Sequence, residues 1–151
     1  TGWRIGYSVW PESLIEDAIR LAINCHSCVN AACQFAGIAA LDGPQDSVLD
    51  MVCEFDLRRK FIINGLNELP GIRCINPYGA FYAFPNIAEI GLSSKMFQDR
   101  LLEEAGVAII AGTSFGSKGE GYLRFSYASS MEKIEIALHR TLNFIEKLHS
   151  D

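Results

Sequence analysis

The segment Gly119-Glu120-Gly121-Tyr122-Leu123-Arg124-Phe125-Ser126-Tyr127-Ala128 runs from a glycine-rich loop into a strand expected over 122–127. Side chains alternate faces along a strand, so Arg124 opposes Leu123 and Phe125. Such a strand lays one face on a core and sends a cation from the other. Residues 111–121, just before it, hold four glycines: Gly112, Gly116, Gly119 and Gly121. This loop does not match a nucleotide-phosphate cradle. It lacks the GxxxxGK[ST] spacing, and it feeds a strand, so no helix N-terminus points at an anion. Beyond the strand, Ser129 and Glu132 are spaced as a capping box. A helix is expected to follow, with Ile134, Leu138, Thr141, Ile145 and Leu148 on one face.

Upstream of the loop, Val107–Ile110 reads as a short buried strand. Before it a helix capped by Ser93 or Ser94 runs to Ala105 and stops at Gly106. Ile72–Ile75 and Ala80–Phe84 read as two strands around the turn Asn76-Pro77-Tyr78-Gly79, which permits hairpin pairing. Residues 45–69 form a long helix with Val48, Val52, Phe55, Ile62, Leu66 and Leu69 in a stripe that Arg59 interrupts. Pro70-Gly71 ends it. A helix of that length often bridges two bodies. Further upstream lie a helix over 28–41 and another opening at Pro11, with Ile15, Ile19 and Ala22 on its apolar face. Trp3–Val9 reads as a strand. The order gives an α+β fold: a small mixed or antiparallel sheet with helices on one face, preceded by a long helix. The opening Thr1-Gly2-Trp3-Arg4 falls in mid-pattern, and the chain is expected to be a piece of a larger protein.

A net charge of −5 argues against a nucleic-acid partner. No stretch is long and apolar enough to span a membrane, and the start lacks a signal-peptide pattern. The cysteines are odd in number: Cys25, Cys28, Cys33, Cys53 and Cys74. They read as small buried thiols, reduced in a cytoplasmic protein, rather than a disulfide framework. Cys25-x-x-Cys28 lacks the second ligand pair of a structural zinc site, so no metal site is expected. His26, His139 and His149 have no carboxylate at suggestive spacing and receive no role.

Two arginines carry chemistry. Arg4 lies between Trp3 and Ile5 in a segment built for burial, and a buried guanidinium needs an anion. That anion is either a phosphate or carboxylate ligand, held by planar bidentate donors, or an acidic side chain in a structural ion pair. Arg124, mid-strand beside the glycine-rich loop, is either a carboxylate clamp or a paired or solvent-facing arginine.

Three segments in order resemble one family, the pyridoxal-phosphate-dependent class I aminotransferases of fold type I. Thr1-Gly2-Trp3-Arg4-Ile5-Gly6-Tyr7 is similar to the stretch that follows the cofactor lysine. Pro77-Tyr78-Gly79-Ala80-Phe81-Tyr82 resembles the Pro-x-Gly-Ala-Phe-Tyr strand. Gly112-Thr113-Ser114-Phe115-Gly116 and then Leu123-Arg124-Phe125-Ser126 resemble the Gly-x-x-Phe-Gly loop and the strand after it. The nearest likeness is to prokaryotic-type aspartate aminotransferases. Ala111 stands where many relatives have proline.

The resemblance implies a C-terminal part. Residues 1–44 would end the large cofactor-binding domain, and 45–151 would be the bridging helix and small C-terminal domain. Arg4 would bind the phosphate of pyridoxal 5'-phosphate, and Arg124 the substrate α-carboxylate. The chain would hold no catalytic residue, because the Schiff-base lysine falls before Thr1; Lys60, Lys95 and Lys118 are not in its motif. The full protein would be a cytoplasmic homodimer of amino acid metabolism. It would move an amino group between an amino acid, aspartate among the candidates, and a 2-oxo acid. The chain alone would be inactive. Cys25–Ala32 offers no arginine for a side-chain carboxylate. A non-catalytic ligand-binding module of a regulator, or a lyase or synthase on the same fold, are the alternatives.

Overall fold

A computed structural model describes residues 2–149. The chain divides into two compact units, Thr1–Ser47 and Val48–Asp151.

The first unit is helical. Pro11, with φ of −56°, leads into a 3₁₀ turn, Glu12–Leu14, and then helix α1, Ile15–His26. Ser27 stops α1 by taking a positive φ of 64° while its N–H donates to the Ile23 carbonyl. Helix α2, Ala31–Asp42, opens on Asn30, whose side chain accepts the Cys33 N–H at 3.3 Å. That bond satisfies one donor of the first turn. No strand forms at 3–9. The segment is without ladder pairing among the described residues, and a strand exists only when its backbone groups meet a partner. The face of Ile15, Ile19 and Ala22 is present, but all three are exposed, and none of residues 2–47 is buried.

The second unit holds the core. Helix α3, Asp46–Glu68, begins at the unit boundary and buries Ile62, Ile63 and Leu66 near its C-terminal end. Val48 and Val52, earlier in the same stripe, stay exposed. Helix α4, Ser94–Ala105, is capped by the Ser93 side chain and ends at Gly106 in the left-handed region. Helix α5, Met131–Leu148, is capped by Ser130, whose side chain accepts the Lys133 N–H at 3.4 Å. The cap expected at Ser129 thus falls one residue later, and Glu132 sits inside the first turn rather than closing a capping box.

Three antiparallel strands make the sheet, in the order β1-β3-β2: β1 Tyr82–Ala83, β2 Ile110–Ala111 and β3 Leu123–Ser126. Tyr82 pairs with Ser126, and Ile110 with Arg124. The expected hairpin between 72–75 and 80–84 does not form. β1 pairs with β3 instead, and Arg73 meets Asn86 in a single bridge whose two N–H···O bonds are 3.0 and 2.7 Å. β1 is an edge strand, and 72–75 reaches its free side only through Asn86, because Cys74 is held at the end of α3. There the Asn67 side chain accepts the Cys74 N–H and donates to the Cys74 carbonyl.

Leu123 and Phe125 face the core together with Ala83, against Ile62 and Leu66 of α3, Phe97 and Leu101 of α4, and Ile134 and Ile145 of α5. Phe97 and Phe144 meet edge to face with ring centroids 5.3 Å apart. Burying such side chains contributes about 1.5–3 kcal/mol each. Helices therefore cover one face of the sheet. The other face carries Arg124.

Candidate functional site

β3 is the central strand, and its alternation decides where Arg124 goes: Leu123 and Phe125 are buried, while Arg124 is half-buried on the opposite face. Its guanidinium carbon lies 4.3 Å from the centroid of the Tyr82 ring and 4.5 Å from that of Phe115. Tyr82 comes from β1, which is anchored beyond its start by Tyr127. The Tyr127 N–H donates to the Phe81 carbonyl, and its phenol, raised above its usual range by burial, donates to the Ala80 carbonyl at 3.0 Å. Phe115 ends a 3₁₀ turn, Gly112–Phe115, that follows β2 directly. Among the described residues no ion pair involves Arg124.

The loop that carries Phe115 is pinned at its far end. The buried Ser94 Oγ accepts N–H groups from Gly121 at 2.8 Å and Tyr122 at 3.1 Å, and the Glu120 carboxylate accepts the Ser94 N–H at 2.9 Å. Gln98 accepts the Ala111 N–H at 2.7 Å. Within the loop Gly112 and Gly119 touch so closely that a Cβ on Gly112 would stand 2.2 Å from the Gly119 carbonyl oxygen. Only glycine permits that approach.

Arg4 lies in the first unit. It is exposed, takes a φ of +48°, and lines a surface depression with Trp3, Ile5 and Gly6. The Cys33 thiol reaches the Trp3 carbonyl at 3.4 Å, which ties this segment to α2. The burial expected of Arg4 is not found, because its apolar neighbours Trp3 and Ile5 are themselves exposed. Among the described residues Arg4 has no carboxylate partner. Arg4 and Arg124 belong to different units.

The cysteines depart from expectation. Only Cys74 is buried, and burial raises its thiol pKa; Cys25, Cys28 and Cys53 are exposed and Cys33 is half-buried. They lie on surfaces that no core of this chain covers. Among the described residues no group of three or more His, Cys, Asp and Glu side chains could hold a metal ion. Among the described residues no helix is long and apolar enough to cross a membrane. Sequence reasoning missed the partners of Arg124. Tyr82 was legible only as part of an aromatic strand, and Ser94 only as a cap alternative to Ser93.

Residues 1–140 match the family described as aminotransferase class I and II. The chain belongs to the class I and II aminotransferases. Its sequence is 43% identical over 148 residues to an aspartate aminotransferase of Pyrococcus horikoshii, covering 97% of this chain and 38% of that protein. An aromatic-amino-acid aminotransferase of Thermococcus litoralis is 39% identical, with 93% of this chain and 36% of that one covered. Among solved structures, an aromatic aminotransferase from Pyrococcus horikoshii superposes with a TM-score of 0.89 at 39% identity, over 97% of this chain and 40% of its own. An aspartate aminotransferase from Rhizobium meliloti gives 0.85 at 34% identity, over 96% and 38%. The chain therefore spans under half the length of the relatives it matches. The family of aminotransferases works with pyridoxal phosphate, and the α+β fold found here is that of its members.

Proposed function

We propose that the protein of which this aminotransferase chain is part moves an amino group between an amino acid and a 2-oxo acid, with Arg124 as the ligand of the substrate α-carboxylate. One observation carries the assignment: a half-buried guanidinium, flanked by two rings, with no carboxylate partner among the described residues. A guanidinium partly withdrawn from water needs an anion, and its donors match a carboxylate as a planar fork. Arg4 holds the cofactor phosphate. Its exposed guanidinium, with no carboxylate partner among the described residues, suits a phosphate ester, and the donor chemistry fits the group. When bound, pyridoxal phosphate supplies the electron sink that makes the α-proton of an amino acid labile. The residues of this chain bind and orient: Arg124 fixes the carboxylate end of the donor, and Arg4 anchors the phosphate.

Residues 1–44 end a large cofactor-binding domain, and 45–151 are the bridging helix and small domain. The division into compact units between Ser47 and Val48 supports that reading, as does the lack of buried residues over 2–47. A homodimer, residence in the cytoplasm and a role in amino acid metabolism complete the proposal. Aspartate and aromatic donors both stay in the panel, since relatives of both kinds match.

The test is Arg124→Ala in the full-length protein loaded with pyridoxal phosphate. Donor affinity should fall on the order of a hundredfold, from the loss of charged hydrogen bonds, while cofactor affinity holds. Equal donor affinity in variant and parent sinks the assignment. Residues 1–151 alone should turn over no donor.

A further inference from the structure

We propose that Tyr82 and Phe115 are positioning residues that clamp the Arg124 guanidinium edge-on to its anion; the proposal rests on Arg124 as the carboxylate ligand. Three neighbouring segments converge on it. β1 supplies Tyr82, β3 the arginine, and the turn after β2 supplies Phe115. The second ring is itself supported. Phe84 meets Phe115 edge to face at 6.4 Å and stacks on Tyr122 at 5.3 Å with the planes 10° apart.

A guanidinium donates only within its own plane. Rings close to its carbon attract the cation without consuming an N–H. An anion then reaches Arg124 through the edge, which is the approach a coplanar carboxylate uses to take two parallel hydrogen bonds. The clamp also restricts a long, flexible side chain before the ligand arrives, so less order has to be imposed on binding.

Two other arginines of this chain show the contrast. Arg58 and Arg100 each lie 5.5 Å from one ring, and each also gives its Nε–H to a carboxylate at 2.7 Å, Glu54 and Glu104 respectively. Those are ion pairs that also touch a ring. Arg124 has two rings, both nearer, and no ion pair among the described residues.

The experiment uses the full-length protein loaded with pyridoxal phosphate and follows the cofactor absorbance in single-turnover reaction with L-aspartate, L-alanine and L-phenylalanine. Apparent Kd and limiting rate are read separately for Tyr82→Leu, Tyr82→Phe, Phe115→Leu and Arg124→Lys. Leucine keeps apolar volume and removes the π-face. Each leucine variant should raise the Kd about fivefold, with the limiting rate within about twofold of the parent. Tyr82→Phe should restore the parent Kd. Phe115 is 54% exposed, so its replacement leaves the core intact, and a thermal midpoint checks that. Unchanged Kd in both leucine variants overturns the clamp. So does an equal loss in Tyr82→Phe, which would assign the effect to the hydroxyl. Arg124→Lys separates the two levels: a large rise in Kd upholds the carboxylate role whatever the rings do, and an unchanged Kd overturns that role and the clamp with it.

Discussion

Ser94 shows how much one hydroxyl can carry. It is fully buried, and its Oγ accepts the N–H groups of Gly121 and Tyr122, the two residues that lead into the strand of Arg124. Among the described residues every buried side-chain nitrogen and oxygen has a partner. Ser94→Ala removes the acceptor and leaves the Gly121 N–H without its partner, while the Tyr122 N–H keeps the Gly119 carbonyl at 3.2 Å. An unsatisfied buried donor costs about 1–3 kcal/mol, so the variant should lose about 2 kcal/mol of unfolding free energy in urea titration. A loss below about 0.5 kcal/mol would mean that the loop finds other acceptors. Arg124 belongs at this scale as well. Its chemistry follows from the guanidinium itself, and its orientation from two rings on other segments, Tyr82 of β1 and Phe115 of the turn after β2.

Helices α3 and α5 meet where Gly65 faces Leu138. A Cβ at 65 would lie 2.4 Å from Leu138 Cδ1, 3.2 Å from Cδ2 and 3.3 Å from Cγ. Two effects oppose each other in Gly65→Ala. Alanine favours the helix by about 1 kcal/mol over glycine. Overpacking costs about 1–3 kcal/mol, and turning Leu138 about χ2 moves its methyls but leaves Cγ in place. The overlap should win, giving a net loss of about 1 kcal/mol in chemical denaturation. In a Leu138→Ala background the same change should stabilise, because only the helix term remains. The sign reversal in that double-mutant cycle is the test. The other elements divide in the same manner. α4 is capped by Ser93 and stops at Gly106 as its local residues require, whereas β1 takes its partner from a strand some forty residues on.

Across the second unit, carboxylates on α3 and α4 titrate low. Asp56 is held below its usual 3.8 by hydrogen bonds from Lys60 and then Arg59, Asp99 likewise by Lys95, and Glu104 below its usual 4.5 by Arg100 and then Lys147. A depressed pKa means that the folded state binds the proton less readily than the unfolded chain does. The stabilisation is therefore present above the usual carboxylate values and is lost as pH falls through the lower, folded ones. Thermal midpoints should drop as the pH passes from 4.5 to below 3.8, and added salt should flatten the dependence because these pairs lie at the surface. A midpoint independent of pH over that window would contradict the ion-pair account. Much of the molecule was legible beforehand. The long helix, the α4 cap and stop, and the alternation around Arg124 follow from spacing within a few residues, where backbone geometry is local. The false strand at 3–9, the hairpin that did not form and the thiols that stayed exposed all depend on what lies across space. The helices, the α+β class and the family likeness could be read from the chain alone, since each is written in side-chain identity and period. Only the tertiary structure decided which strand β1 joins, that Ser94 holds the loop, and that Tyr82 and Phe115 flank Arg124, because those contacts link residues whose separation along the chain carries no periodic signal.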